Sequence, residues 1–122
     1  MKVTILGSGG QIGAYLLEYL TKKGHAVVGI DVVDGPHNDL RVTPNTYVES
    51  AIESADFVFF LAFDVGGSRY LKKYQHTFEF VNNNTRIMAN TFRLLKKYNK
   101  QFVFASSQMS NMSYSPYGVM KR

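Results

Sequence analysis

Apolar residues in this chain fall into short solid blocks that alternate with stretches where they recur three and four positions apart. Residues 3–6 form a branched apolar run closed by Gly7, the pattern of a buried strand. Over 11–23 the apolar positions Ile12, Tyr15, Leu16, Tyr19 and Leu20 predict a helix with one buried stripe, ended by Gly24. Residues 25–30 read as a second strand closed by Asp31, which completes a βαβ unit with a right-handed crossover. A turn-rich loop, Asp34-Gly35-Pro36-His37-Asn38, precedes a short and weakly amphipathic helix over 44–54. The run 57–61 is apolar on both faces, which implies a parallel sheet covered on both sides. Residues 64–75 read as a loop carrying Gly66-Gly67, and 77–98 as the longest helix, with Phe80, Ile87, Thr91, Leu94 and Leu95 directed inward. A fourth strand over 101–106 and a last helix opened by Ser115-Pro116 complete the alternation. The expected fold class is α/β, a doubly wound parallel sheet with helices on both faces.

The first candidate chemistry sits between the first strand and the first helix, in Gly7-Ser8-Gly9-Gly10-Gln11-Ile12-Gly13. Gly7 permits a tight turn, Gly10 lets backbone N–H groups approach a pyrophosphate, and Gly13 lets the helix pack close on the sheet. The helix N-terminus, at Gln11 and Ile12, adds partial positive charge for phosphates. Asp31 ends the next strand, where a carboxylate can accept hydrogen bonds from adenosine ribose hydroxyls and would repel a 2′-phosphate. The cofactor expected is NAD rather than its phosphorylated relative.

The second candidate is Tyr117-Gly118-Val119-Met120-Lys121, whose tyrosine and lysine are four apart and share one helical face. A neighbouring ammonium stabilises a phenolate and brings its pKa toward neutrality, as a general acid/base requires. Ser106-Ser107, at the end of the fourth strand, can donate a hydrogen bond to a substrate oxygen beside that phenol.

Composition narrows the classes. With 122 residues the chain is one domain long, and 45% hydrophobic with 19% charged residues describes a globular interior. The lack of cysteine removes disulfide scaffolds and thiol chemistry. His25, His37 and His76 are scattered without ligand spacing, so no metal site is expected. The longest apolar run, residues 57–63, is far short of a spanning helix, and the opening residues do not resemble a signal peptide. A soluble cytoplasmic domain with no membrane partner is expected. The net charge of +5 is uneven: residues 1–63 hold four basic and seven acidic side chains, residues 64–122 ten and two. Many of the lysines close predicted helices, where cations suit the dipole and face solvent; for Arg69, Lys72 and Lys73 an anionic small molecule is a better partner than nucleic acid, and a plain solvated surface is the commoner role of any single one.

Glycine motif, Asp31 and the Ser-Tyr-Lys set, in this order on one βαβ scaffold, resemble an extended short-chain dehydrogenase/reductase of the NAD-dependent epimerase/dehydratase family. The resemblance covers essentially all 122 residues. Gly7, Gly10 and Gly13 match the family's GxxGxxG; residues 102–107 resemble its FVYASS-like strand, and 115–121 its SPYGxSK-like segment. The resemblance implies a Rossmann-type domain over 1–122, the N-terminal portion of a longer enzyme whose C-terminal substrate domain is absent. It implies that Asp39 and Leu40 contact adenine, that Leu61, Ala62 and Phe63 line the nicotinamide ribose, and that Asn84 is a functional asparagine early in the long helix. Ser107, Tyr117 and Lys121 become the catalytic set, with Ser106, Tyr117 and Lys121 also touching the cofactor. A nucleotide-sugar substrate and a homodimer follow. The dimer would be built on the helices beginning near Thr77 and Ser115, with Phe78, Phe92 and Tyr98 as spare apolar surface.

Departures from the family pattern refine the expectation. Asp39 follows Asp31 by only eight positions, too few for a second crossover helix and a third strand. The sheet should therefore have order 2-1-4-5 in family terms, as in members resembling dTDP-4-dehydrorhamnose reductase. Gln108 and Met109 stand where dehydratases carry acidic residues, which favours an epimerase or reductase. A third reading is a regulatory protein that binds NAD without turnover.

Overall fold

The apolar runs pair as strands in a computed structural model that describes residues 1–62 and 78–105. The expected loop over 64–75 and the helix opened by Ser115 lie outside these residues, as do Phe63, Ser106, Ser107, Tyr117 and Lys121. The described chain runs β1 (Lys2–Leu6), α1 (Gln11–Lys22), β2 (Ala26–Ile30), two short 3₁₀ turns, α2 (Thr46–Ser54), β3 (Phe57–Phe60), α3 (Phe78–Lys97) and β4 (Phe102–Phe104). All pairs in the sheet are parallel and the order is β2-β1-β3-β4. This is the shortened order expected from the Asp31–Asp39 spacing. Turns Val32–Asp34 and Pro36–Asn38 occupy the place of a crossover helix and strand.

Alternation along β1 assigns the faces. Thr4 donates its hydroxyl to the Ala51 carbonyl of α2 at 2.9 Å. Ile5, one position on, pairs with Gly29, whose open side meets Ser8 and Leu17. Helix α1 therefore covers one face, and α2 with α3 the other. The core lies on the second face, where Leu6, Ile30, Val58 and Phe60 meet Val48 and Ile52 of α2 and Ile87, Leu94 and Leu95 of α3. Phe92 of α3 completes it by packing on Phe60, Phe102 and Phe104, with ring centroids 5.3–5.7 Å apart.

The inward stripe of α3 matches expectation at Ile87, Thr91, Leu94 and Leu95. That of α1 matches only at Leu16 and Leu20. Ile12, Tyr15 and Tyr19 are 72%, 78% and 52% exposed, and the inward face is Gly13, with Leu16, Leu17 and Leu20 half-buried. The reason is steric. The helix touches the sheet backbone at Gly13, where any side chain would collide with Gly7, and that contact rotates the larger residues outward. Phe92 and Tyr98, read as spare apolar surface, are also half-buried within the chain, while Phe78 is 83% exposed. The Tyr98 hydroxyl donates to Glu49 Oε2, and Lys97 reaches the same oxygen at 2.7 Å, which clamps α3 to α2. No helix among the described residues is long and apolar enough to cross a membrane.

Candidate functional site

The C-terminal ends of β1, β2 and β3 meet where the strand order reverses, with β2 on one side of β1 and β3 on the other, the place at which open α/β sheets bind ligands. A cleft of ≈ 260 Å³ opens there, floored by Gly7, Gly10, Leu61 and Ala62. Its far end is walled by Asp31, Val32 and the segment Asn38, Asp39, Leu40 and Arg41, with Ile30 and Ile87 beneath.

Three glycines shape the floor in different ways. Gly7 has φ +97°, and a Cβ there would stand 2.7 Å from the Ala62 nitrogen, so the turn and the end of β3 both require its small size. Gly13 is packed against the Gly7 carbonyl oxygen, which a Cβ would approach to 2.1 Å. Gly10 has an ordinary φ of −76°, and a Cβ would meet only the Gly7 oxygen, at 3.5 Å. Its contribution is to leave the cleft open in front of α1. That helix has no side-chain cap and no acidic residue in its first turn, whereas α2 is capped by Asn45 at 3.1 Å. The first N–H groups of α1 thus have no side-chain cap among the described residues, the condition under which a helix N-terminus can receive an anion. Gln11 and Ile12 open the helix with exposed side chains, and neither lines the cleft.

Asp31 is held from both sides. Its Oδ2 accepts the Gly9 N–H at 2.8 Å and its Oδ1 the Val33 N–H at 3.2 Å. A Cβ at Gly9 would stand 2.8 Å from the Asp31 carboxyl carbon, so this glycine, given no role by the motif, keeps room for the carboxylate. Gly29 does the same for Ser8, approached to 2.6 Å. A lone glycine inside a strand is the sequence signal for such an approach.

Asp39, Leu40 and Arg41 line the cleft. The Arg41 guanidinium grips Asp39 through Nε to Oδ1 at 2.9 Å and Nη2 to Oδ2 at 2.8 Å. These hydrogen bonds hold the Asp39 carboxyl below its usual range, against the opposing effect of burial. Asn84 is fully buried on α3 and is not part of the cleft lining. Val32, Asn38, Arg41 and Ile87 were not among the expected cofactor residues. Ile87 carried only a core signal, and Arg41 only that of a solvated charge.

The model of the NAD dependent epimerase/dehydratase family matches residues 3–120. The chain belongs to that family. It is 30% identical over 120 residues to GDP-mannose 3,5-epimerase of Arabidopsis thaliana and 29% identical to GDP-mannose 3,5-epimerase 1 of Oryza sativa subsp. indica. Each alignment covers 88% of this chain and 31% of the relative, so the chain spans about a third of the curated relatives it matches. Among solved structures it resembles UDP-glucose 4-epimerase from Bifidobacterium longum in complex with NAD+ and UDP, with a TM-score of 0.72 and 20% identity over 99% of this chain and 46% of that one. L-threonine dehydrogenase from Phytophthora infestans gives a TM-score of 0.75 at 19% identity, over 99% and 46% of the two chains. At such identity the structural likeness establishes the Rossmann-like fold.

Proposed function

We propose that the chain is the cofactor-binding part of an NAD-dependent sugar-nucleotide epimerase. The observation that carries this reading is Asp31, fixed by the Gly9 and Val33 N–H groups at the rim of a glycine-floored cleft. A carboxylate at that position suits two ribose hydroxyls, and the uncapped N-terminus of α1 suits the adjoining pyrophosphate. Leu61 and Ala62 supply the wall toward the nicotinamide ribose, and Asp39 with Leu40 the wall toward adenine. When bound, the nicotinamide supplies hydride transfer. In this chain Tyr117 takes the proton from a sugar hydroxyl, Lys121 keeps that phenol acidic and holds the ribose, and Ser107 steadies the developing oxyanion. The epimerase names of the curated relatives favour this chemistry over dehydration.

A reductase is the second reading, favoured by the two 3₁₀ turns that replace a crossover between Asp31 and Asp39. The protein that binds NAD without turnover is the third. The whole protein is assigned a nucleotide-sugar substrate, a cytoplasmic location, no nucleic-acid or membrane partner, and a homodimeric state. Phe78 and Val81 are, among the described residues, the exposed apolar positions of α3 that a dimer would cover. Assay of the intact protein with nucleotide sugars separates the three readings. An epimerase retains NAD and turns over without net redox change; a reductase consumes reduced cofactor in proportion to product. Tyr117→Phe should leave NAD binding nearly intact and lower turnover by about 10² or more. Near-normal turnover in that variant would remove the Tyr-Lys assignment.

A further inference from the structure

The unexpected element of the cleft is the fork between Arg41 and Asp39, two positions apart with no strand or helix to hold them. Oδ1 of Asp39 accepts both the Arg41 backbone N–H, at 3.0 Å, and Nε, at 2.9 Å; Oδ2 accepts Nη2 at 2.8 Å. A carboxylate has about four acceptor positions. Among the described residues three are taken, and the one left is on Oδ2.

The backbone on either side is pinned as well. Asn45 Nδ2, from the cap of α2, donates to the Asp39 carbonyl at 3.2 Å and to that of His37 at 3.0 Å. From α3, Asn90 Nδ2 donates to the Leu40 carbonyl and Arg86 Nη2 to the Arg41 carbonyl, each at 3.0 Å. Neither the chain nor the carboxylate can turn without breaking several of these hydrogen bonds.

We propose that Arg41 is the positioning residue that makes this cleft select a 6-amino purine over a 6-oxo purine, by holding Asp39 as a fixed, acceptor-only group with one open position on Oδ2. The inference rests on the dinucleotide reading above. An ionised carboxylate accepts an exocyclic amino N–H and repels a carbonyl oxygen at the same place. Arg41 contributes to that choice in two ways. Its hydrogen bonds favour the ionised form of Asp39, and its planar fork sets the direction of the remaining lone pair, which a lysine ammonium cannot do bidentately.

The test is calorimetry on the intact protein with NAD+ and with nicotinamide hypoxanthine dinucleotide, which carries an oxo group in place of the 6-amino group. Wild type should prefer NAD+ by about tenfold or more, as expected for one charge-assisted hydrogen bond. In Arg41→Met the preference should fall to within about threefold, and in Asp39→Asn it should fall likewise. Arg41→Lys keeps the charge, so it should fold even if Arg41→Met does not, and its preference should drop at least severalfold. Both dinucleotides need the same folded cleft, so a purely structural role would lower both affinities and leave their ratio unchanged. A wild-type ratio in both Arg41 variants, or tighter NAD+ binding without the fork, would overturn the inference while sparing the dinucleotide reading. Wild type binding neither dinucleotide would overturn both.

Discussion

Replacing Gly13 by alanine sets two effects of opposite sign against each other. Alanine in a helix interior is favoured over glycine by about 1 kcal/mol, so on propensity alone the variant gains stability. The packing opposes this. The new Cβ would stand 2.1 Å from the Gly7 oxygen, 2.9 Å from the Gly7 carbon and 3.0 Å from Ser8 Cα. Comfortable contact needs about 3.5 Å, so the helix must retreat by more than about 1 Å. All three neighbours are backbone, and no rotamer change relieves them. Gly7 cannot yield either, because its N–H is bonded to the Ile30 carbonyl at 2.7 Å and its open side abuts Ala62. Overpacking of this kind costs about 3 kcal/mol or more, leaving a net loss of about 2 kcal/mol and a melting temperature lower by about 5 °C. Gly10→Ala is the matched control. At φ −76° with its nearest neighbour 3.5 Å away, it should lose less than about 1 kcal/mol, mainly through poorer N-capping. Its methyl group would instead project into the cleft and weaken NAD binding. Thermal denaturation and NAD titration of both variants of the intact protein should give a crossed pattern, stability lost at residue 13 and binding at residue 10. A Gly13→Ala protein melting at or above the wild-type temperature would refute the packing argument.

Asp31→Ala should narrow the preference for NAD(H) over NADP(H), because the carboxylate that would repel a 2′-phosphate is removed; calorimetry showing an unchanged ratio would contradict this. Thr91→Val should raise stability by about 1 kcal/mol in urea titration, since the Thr91 hydroxyl is buried without a hydrogen-bond partner among the described residues and valine keeps its shape. The Glu49 carboxyl is held below its ordinary value by hydrogen bonds from Lys97 and then Tyr98. Its contribution is therefore complete above about pH 4.5 and is lost as pH falls through the lower folded value. The melting temperature of Glu49→Gln should accordingly fall less than that of wild type between pH 5 and pH 3, and parallel curves would dismiss the clamp as a source of acid sensitivity.

What the sequence determined by itself is what depends on neighbouring residues. Solid apolar blocks mark β1 and β3 because strands covered on both faces have no polar side. Gly7 and Gly13 were legible because a strand that turns directly into a helix imposes a positive φ at the turn and a close backbone contact just behind it. The eight-position step from Asp31 to Asp39 was enough to exclude a crossover helix, which is a matter of chain length alone. The rest needed the tertiary structure. Hydropathy put Ile12, Tyr15 and Tyr19 inside, yet the backbone contact between Gly13 and Gly7 decides which way α1 faces, and a glycine carries no hydrophobic signal. Gly9 reads as one more loop glycine until Asp31, 22 positions later, is found against it. Arg41 and Asp39 are neighbours in the chain, but the partners that pin their segment, Arg86 and Asn90, come from a helix 45 and 50 positions away. Local pattern reports the conformations a segment prefers. Which side chains converge on the cleft depends on how the sheet stacks those segments, a sum of contacts between residues far apart in the chain.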